Sequence, residues 1–169
     1  MVRFKKRFPL SKKDRRKLRE MLGSTLERVN WLNMEACGRI EKGETGIFTV
    51  YLCDGICFLV DINGLMVPCL KHILKRQDAR SLADILVDRG AVKALLRGAD
   101  LMAPGVTSVR GEFGENEVVV IGDSETGAPV AIGVSLVDSD ALREMAASKS
   151  KGRVVRILHH VGDKIWEAL

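Results

Sequence analysis

Aromatic residues are scarce in this 169-residue chain: five Phe, two Trp and one Tyr, 5% of the total. That scarcity argues against binding single-stranded nucleic acid mainly by stacking successive bases on aromatic platforms. No uninterrupted apolar run approaches the roughly 20 residues of a membrane-spanning helix, so no membrane partner is expected. The charged N-terminus lacks the apolar segment of a secretory signal, and export is not expected. Four cysteines in such a chain predict reduced thiols and a cytoplasmic setting. A Walker loop, a nucleophile elbow and a dinucleotide fingerprint are also absent. No motif nominates a catalytic residue or a cofactor, and the chain is expected not to be an enzyme.

What is present describes a folded protein with an uneven charge. Apolar residues make up 46% and charged residues 29%, as in a globular chain of one or two domains. The net charge of +5 conceals an asymmetry. Residues 1–19 hold ten Lys and Arg against one acid, Asp14, leaving 17 basic and 21 acidic residues elsewhere. A basic arm on a mildly acidic body is the footprint of a polyanion binder. Anionic lipid would attract such an arm too. Its only bulky apolar anchors are Phe4 and Phe8, which favours nucleic acid.

The first eighty residues read as α+β. Met1 to Leu10 looks like an extended basic leader. Ser11 with Asp14 resembles a capping box that opens a helix. That helix carries Leu18, Met21, Leu22, Leu26 and Val29 as its apolar stripe, with a weak point at Gly23. Trp31 and Leu32 are expected to pack it onto the next element. Two β-rich runs flank Asp54-Gly55, a strong hairpin signal, and Asn63-Gly64 marks a second turn before Leu65–Val67. Pro68 leads into a short helix from Cys69 to Leu74, and the polar stretch Gln77–Ser81 ends a first domain, residues 1–81. Cys53, Cys57, Cys69 and His72 resemble a ligand list. In that hairpin, however, Cys53 and Cys57 point to opposite faces, so no metal site is expected. The four cysteines read as small hydrophobes.

The second domain, residues 82–169, is organised around Ile85–Val106. Ile85–Val87 is a buried strand, Asp88 an N-cap, and Val92, Leu95 and Leu96 the buried face of a short helix. Gly98 suits a left-handed C-terminal cap, and Pro104-Gly105 a turn. Arg89, Lys93 and Arg97 recur every four residues and stack on one face, where like charges repel. A phosphate-facing stripe beside the loop Gly98–Gly105 accounts for that repulsion; a merely solvated face is the plainer alternative. Strands come next at Glu117–Ile121 and Ala128–Val137, the latter with Gly133 at a bulge. Ser139 caps a helix, Asp140–Ala147, and Ser148–Arg153 forms a basic loop. Val154–Val161 then pairs with Lys164–Leu169 across Gly162-Asp163, closing a small mixed barrel with Trp166 in its core. His159 and His160 face opposite ways and form no catalytic pair.

Three blocks here carry a resemblance: Val87-Asp88-x-Gly90-Ala91, Gly98-Ala99-Asp100-x-Met102-x-Pro104-Gly105, and His159-x-Val161-x-Asp163-x-x-Trp166. They resemble a PUA domain, the RNA-binding module named for pseudouridine synthases and archaeosine transglycosylases. The Asp54-Gly55 hairpin, Pro68 and the spacing to Val87 make the first half similar to the pre-PUA domain of the malignant T-cell-amplified family of translation factors. Cys69 stands where that family often has Thr. Together the halves resemble an archaeal-type, stand-alone member. The resemblance implies an α/β pre-PUA domain followed by a pseudo-barrel of mixed strands with two short helices. It also implies RNA contacts from Arg89, Lys93 and Arg97, from Gly98, Ala99, Asp100, Met102, Pro104 and Gly105, and from Lys151, Arg153 and Arg156. The implied partners are structured RNA, tRNA or small-subunit rRNA, in initiation, re-initiation or recycling, and a separate initiation-factor-one-like protein. An RNA-targeting accessory subunit of a modification complex is the alternative.

Overall fold

A computed structural model describes residues 4–28 and 33–169. The chain forms two compact units, Met1–His72 with Ala168–Leu169, and Ile73–Glu167.

In the first unit, β1 (Lys6–Pro9) precedes the helix α1 (Lys12–Arg28), and β2 (Ile40–Glu44), β3 (Thr49–Cys53), β4 (Ile56–Ile62) and β5 (Leu65–Pro68) come after it. The five strands form one antiparallel sheet in chain order. Within the basic leader, Lys6–Pro9 is extended, as expected, and forms the edge strand of this sheet. Lys5 N–H donates to the Glu44 carbonyl (2.8 Å), and the Arg7 guanidinium meets the buried Glu41 carboxylate at 2.7 Å. That hydrogen bond holds the Glu41 carboxyl below its ordinary range. Ser11 caps α1 as expected: its Oγ accepts from Asp14 N–H (3.1 Å) and donates to the Asp14 carboxylate (2.6 Å). Gly23 breaks the helical dihedrals. Leu18 and Leu22 are buried, whereas Met21, expected on the same stripe, is 61% exposed. The expected packing of Trp31 and Leu32, with the Leu26 and Val29 side chains, lies outside the described residues.

Both hairpin turns form where the Asp-Gly and Asn-Gly pairs place them, with positive φ at Asp54, Gly55, Asn63 and Gly64. Cys53 opposes Ile56 and Cys57 opposes Leu52, so the two sulfurs leave on opposite faces. The expectation of four reduced thiols is overturned: Cys37 and Cys53 form a disulfide. The Asp54 carboxylate accepts from the N–H groups of Gly38 (3.1 Å) and Arg39 (2.8 Å), and Asp54 N–H donates to the Arg39 carbonyl. These bonds hold residues 37–39 against the hairpin, leaving the two cysteine Cα atoms 5.4 Å apart, a separation a disulfide spans. Cys57 and Cys69 remain thiols. Among the described residues, no group of three or more His, Cys, Asp or Glu is placed to hold a metal, and no helix is long and apolar enough to cross a membrane. The short helix α2 (Leu70–Leu74) comes directly after β5.

The second unit contains β6 (Ile85–Val87), α3 (Arg89–Leu95), β7 (Leu101–Met102), β8 (Val106–Val109), β9 (Val118–Asp123), β10 (Pro129–Ser135), α4 (Ser139–Ala147) and β11 (Arg153–His160), then all but the last residue of α5 (Lys164–Ala168). The sheet order is β7-β11-β10-β9-β6-β8, and β6 runs parallel to β9. This is the expected mixed pseudo-barrel. Ile85, Val87, Leu95, Leu101, Val119, Ile121 and Leu142 lie in its core. Gly133 marks a bulge against β11.

Three local expectations need correction. Lys164–Ala168 is a helix, not a strand paired with β11. Asp163 starts it by accepting from Trp166 N–H (2.7 Å), while β11 pairs with β10 and β7. Trp166 is consequently half-buried, and Ile165 takes the buried position. The N-cap of α4 is Asp138, accepting from Ala141 N–H (2.7 Å); Ser139 is buried, and its hydroxyl meets Glu112. His159 is fully buried, facing away from His160 as expected. Its Nδ1–H donates to Asp163 (2.8 Å), and its Nε2 has no partner among the described residues.

Candidate nucleic-acid interface

The site grows from the end of β6. Asp88 leaves the strand with extended dihedrals, and its carboxylate accepts from Ala91 N–H at 2.8 Å, satisfying one of the orphan amides that open α3. Two turns later the helix stops in a Schellman arrangement. Ala99 N–H donates to the Ala94 carbonyl and Gly98 N–H to that of Leu95, with Gly98 at φ +85°. A side chain at Gly98 would strain this cap, so its conformational role is settled. Leu95 is buried with Ala91 and Val92 partly so, but Leu96 is 40% exposed, because it sits about 100° around the helix from Leu95.

The loop then re-enters the barrel. Leu101–Met102 pairs with β11, with Met102 opposite Arg153 and Leu101 opposite Val155. A tight 3₁₀ turn, Ala103–Gly105, comes next with Pro104 near its start. Gly105 lies flat against α3: a Cβ built on it would come within 2.6 Å of Ala91 Cβ. Its role is close approach between turn and helix. The N–H groups of Gly98, Ala99 and Ala103 all donate internally, the last to the Gly152 carbonyl at 2.8 Å. The loop is thus no rack of free amides; its ligand-facing chemistry is shape and side chains.

Between α3 and this loop lies a cavity of about 320 Å³. Asp100, Met102, Pro104 and Gly105 from the expected set line it. So do Gly90 and Ala94 of α3, which the sequence pattern did not assign to the site. At about 100° per residue, Gly90 and Ala94 fall between the stripe Arg89, Lys93, Arg97 and the packed face of Ala91 and Leu95. The cations therefore border the cavity mouth without lining it. All three are exposed and, among the described residues, make no ion pair. Met102, 49% exposed, forms an apolar lip.

The third group lies on β11. Asp100 ties the loop to it: Oδ2 accepts from Arg153 Nη1 (3.1 Å) and Oδ1 from Ile157 N–H (2.8 Å). The Asp100 carboxylate is thereby occupied, with no group placed to make it a base. Arg156, exposed, adjoins Ile157; Lys151, exposed, precedes the Gly152 carbonyl that receives Ala103 N–H. The arrangement is a mainly apolar slot with the α3 cations beside it, of a kind suited to an unpaired nucleotide or chain end whose phosphates meet guanidinium groups.

Residues 83–161 match the family model described as PUA domain, and residues 6–76 match one described as a domain of unknown function, DUF1947. An uncharacterised protein of Methanocaldococcus jannaschii is 33% identical over 165 residues, 98% of each chain. Translation machinery-associated protein 20 of Schizosaccharomyces pombe is 30% identical over 132 residues, 76% of this chain and 70% of the relative. Among solved structures, a PUA domain from Aeropyrum pernix K1, crystallised with tartrate, superposes with a TM-score of 0.75 at 33% identity, covering 96% of this chain and 89% of that one.

Proposed function

Because this chain belongs to the PUA-domain family that includes translation machinery-associated protein 20 and its archaeal relatives, we propose that it is a non-catalytic RNA-binding protein of the cytoplasmic translation machinery. In this reading it holds a tRNA end or small-subunit rRNA during initiation, re-initiation or recycling, beside a separate initiation-factor-one-like protein. Residues 82–169 form the RNA-binding half and residues 1–81 the pre-PUA half. The observation that carries the reading is the cavity between α3 and the loop, bordered by three exposed cations with no protein partner among the described residues. Like charges held in a row without counter-charge cost energy in the free protein, and a phosphate backbone relieves that cost. Arg89, Lys93 and Arg97 then neutralise phosphates, Met102 and Pro104 shape the slot, and Lys151, Arg153 (while holding Asp100) and Arg156 add phosphate contacts at and just before β11.

The test is Arg97→Glu, titrated against tRNA at fixed salt. Losing one charged contact of about 1.5 kcal/mol weakens binding roughly tenfold or more, with an unchanged urea midpoint. Unchanged affinity would refute the assigned face. Purification of the protein from its native cells, with bound RNA sequenced, tests the translation role. Enrichment of ribosomes and tRNA supports it, whereas recovery of one modification enzyme with its substrate overturns it.

A further inference from the structure

The first unit carries a second cavity, of about 260 Å³, whose lining the α3 site does not share. Phe8 of β1 pairs with Lys42 of β2, and Lys42 with Tyr51 of β3, so the three side chains form one cross-strand row on one sheet face. Leu18 and Met21 of α1 reach the same cavity, along with Leu10, Asp14 and Lys17. Leu18 and Tyr51 are buried and form a floor; Phe8 and Met21, 41% and 61% exposed, form walls open to solvent. Their exposure marks an apolar slot, not a failed core, because the same helix buries Leu18 and Leu22 well.

Lysines flank the cavity on its helix side, while Lys42 on its sheet side is paired with Glu44 at 3.2 Å. Lys13, Lys17 and Met21 recur every four residues, so a lysine row on α1 runs into the slot at Met21. Among the described residues, Lys13 and Lys17 make no salt bridge, whereas Arg16 and Arg19 are paired with Glu20 and Glu35. Asp14, the acid among the described lining residues, offers Oδ2 to Ser11, and its Oδ1 has no hydrogen bond among the described residues. The Ser11 hydrogen bond keeps this carboxyl below its ordinary range, so it is an acceptor at neutral pH.

We propose that this cavity is a second RNA site, which takes one unpaired, amino-bearing base of a single strand whose flanking phosphates lie on Lys13 and Lys17. The base enters between Phe8 and Met21 over the Tyr51 and Leu18 floor, and its exocyclic amino group donates to Asp14 Oδ1. Adenine and cytosine satisfy that acceptor; uracil, with a carbonyl there, repels it. A membrane surface is disfavoured because the apolar side chains converge into a slot instead of forming a projecting face. A single pocketed base also fits a chain with few aromatics, since no stacked run is required.

The site stands apart from the α3 reading and is tested in the 169-residue chain carrying Arg97→Glu. The probes are fluorescein-labelled A12, U12 and an abasic 12-mer, measured by anisotropy across a salt series. A12 binds at least fivefold tighter than U12 and the abasic strand. Lys13→Glu with Lys17→Glu weakens all three and lowers the salt slope by about 1.4, two phosphates at the single-strand value. Phe8→Ser and Asp14→Ala keep the slope but abolish the A12 preference, with circular dichroism unchanged. Equal affinity for A12 and the abasic strand, or a slope unmoved by the lysine changes, overturns the proposal. If Arg97→Glu alone has no effect on tRNA while these effects persist, the α3 reading fails and this one stands.

Discussion

Adding one methyl group at Gly105 should push the helix off the cavity. An ideal Cβ there lies 2.6 Å from Ala91 Cβ, whereas carbon atoms rest about 3.5–4.0 Å apart. Gly105→Ala therefore demands a shift of about 1 Å between turn and α3, at an overpacking cost of about 1–3 kcal/mol. Ala91→Gly removes the obstructing methyl but costs about 0.5–1 kcal/mol in helix propensity. If the clash is the physical cause, the double variant should be no less stable than Gly105→Ala alone, although it contains two substitutions. The assay is urea unfolding followed by Trp166, in a Trp31→Phe background so that the second unit reports alone. Affinity for tRNA should fall with Gly105→Ala and recover in the double variant, because α3 carries Arg89 and Lys93. Additive destabilisation to within about 0.5 kcal/mol would refute the contact.

Two further predictions concern stability. Closure of the Cys37–Cys53 loop, 16 residues in separation, is worth about 3 kcal/mol on the chain-entropy account, so reductant should lower the unfolding midpoint of the first unit. In denaturant, two thiols should titrate before reduction and four after; four at the outset would show that the bond does not form in solution. Burial pushes the Asp163 carboxyl up, but hydrogen bonds from His159 and the Trp166 and His160 N–H groups more than offset this and hold it below its ordinary value. Its stabilising effect is therefore complete above the ordinary carboxylate range and disappears as pH falls through that range and the lower folded value. Asp163→Asn should cost about 2 kcal/mol at pH 7 and progressively less towards pH 3; a gap independent of pH would refute the assignment.

Local chemistry made some elements readable. Asp54-Gly55 and Asn63-Gly64 specify their turns through residues that accept positive φ, and Asp88 with Gly98 brackets α3 by capping alone. What escaped depends on distant partners. The strand β2, Ile-Glu-Lys-Gly-Glu, shows no clean alternation, since the buried Glu41 is neutralised by Arg7, 34 residues earlier, and by Arg39. The same partner strand holds Lys6–Pro9 of the basic leader as β1. The strand expected at Lys164–Leu169 failed because six residues carry little periodicity, and Asp163 supplies the cap. The disulfide was hidden because Asp54, not cysteine spacing, brings Cys37 to Cys53. At the candidate site, the charge stripe was visible in its spacing. The roles of Gly90 and Ala94 were not, because small residues signal a cavity only once their neighbours are in place.

The two hydrogen bonds accepted by Asp100 bear on how binding would proceed. One carboxylate joins the loop after α3 to a side chain and to the backbone of β11, while the Schellman cap and the Ala103–Gly152 bond fasten the loop at both ends. A loop so tethered has little freedom left to lose when a ligand arrives, so binding carries a small ordering penalty on the protein side. On the proposed function, the adjustment would fall to the RNA, whose nucleotide would have to be already unstacked or cheaply freed. Such a socket selects its ligands by how readily they present a loose end, and a duplex carrying the same bases would be passed over.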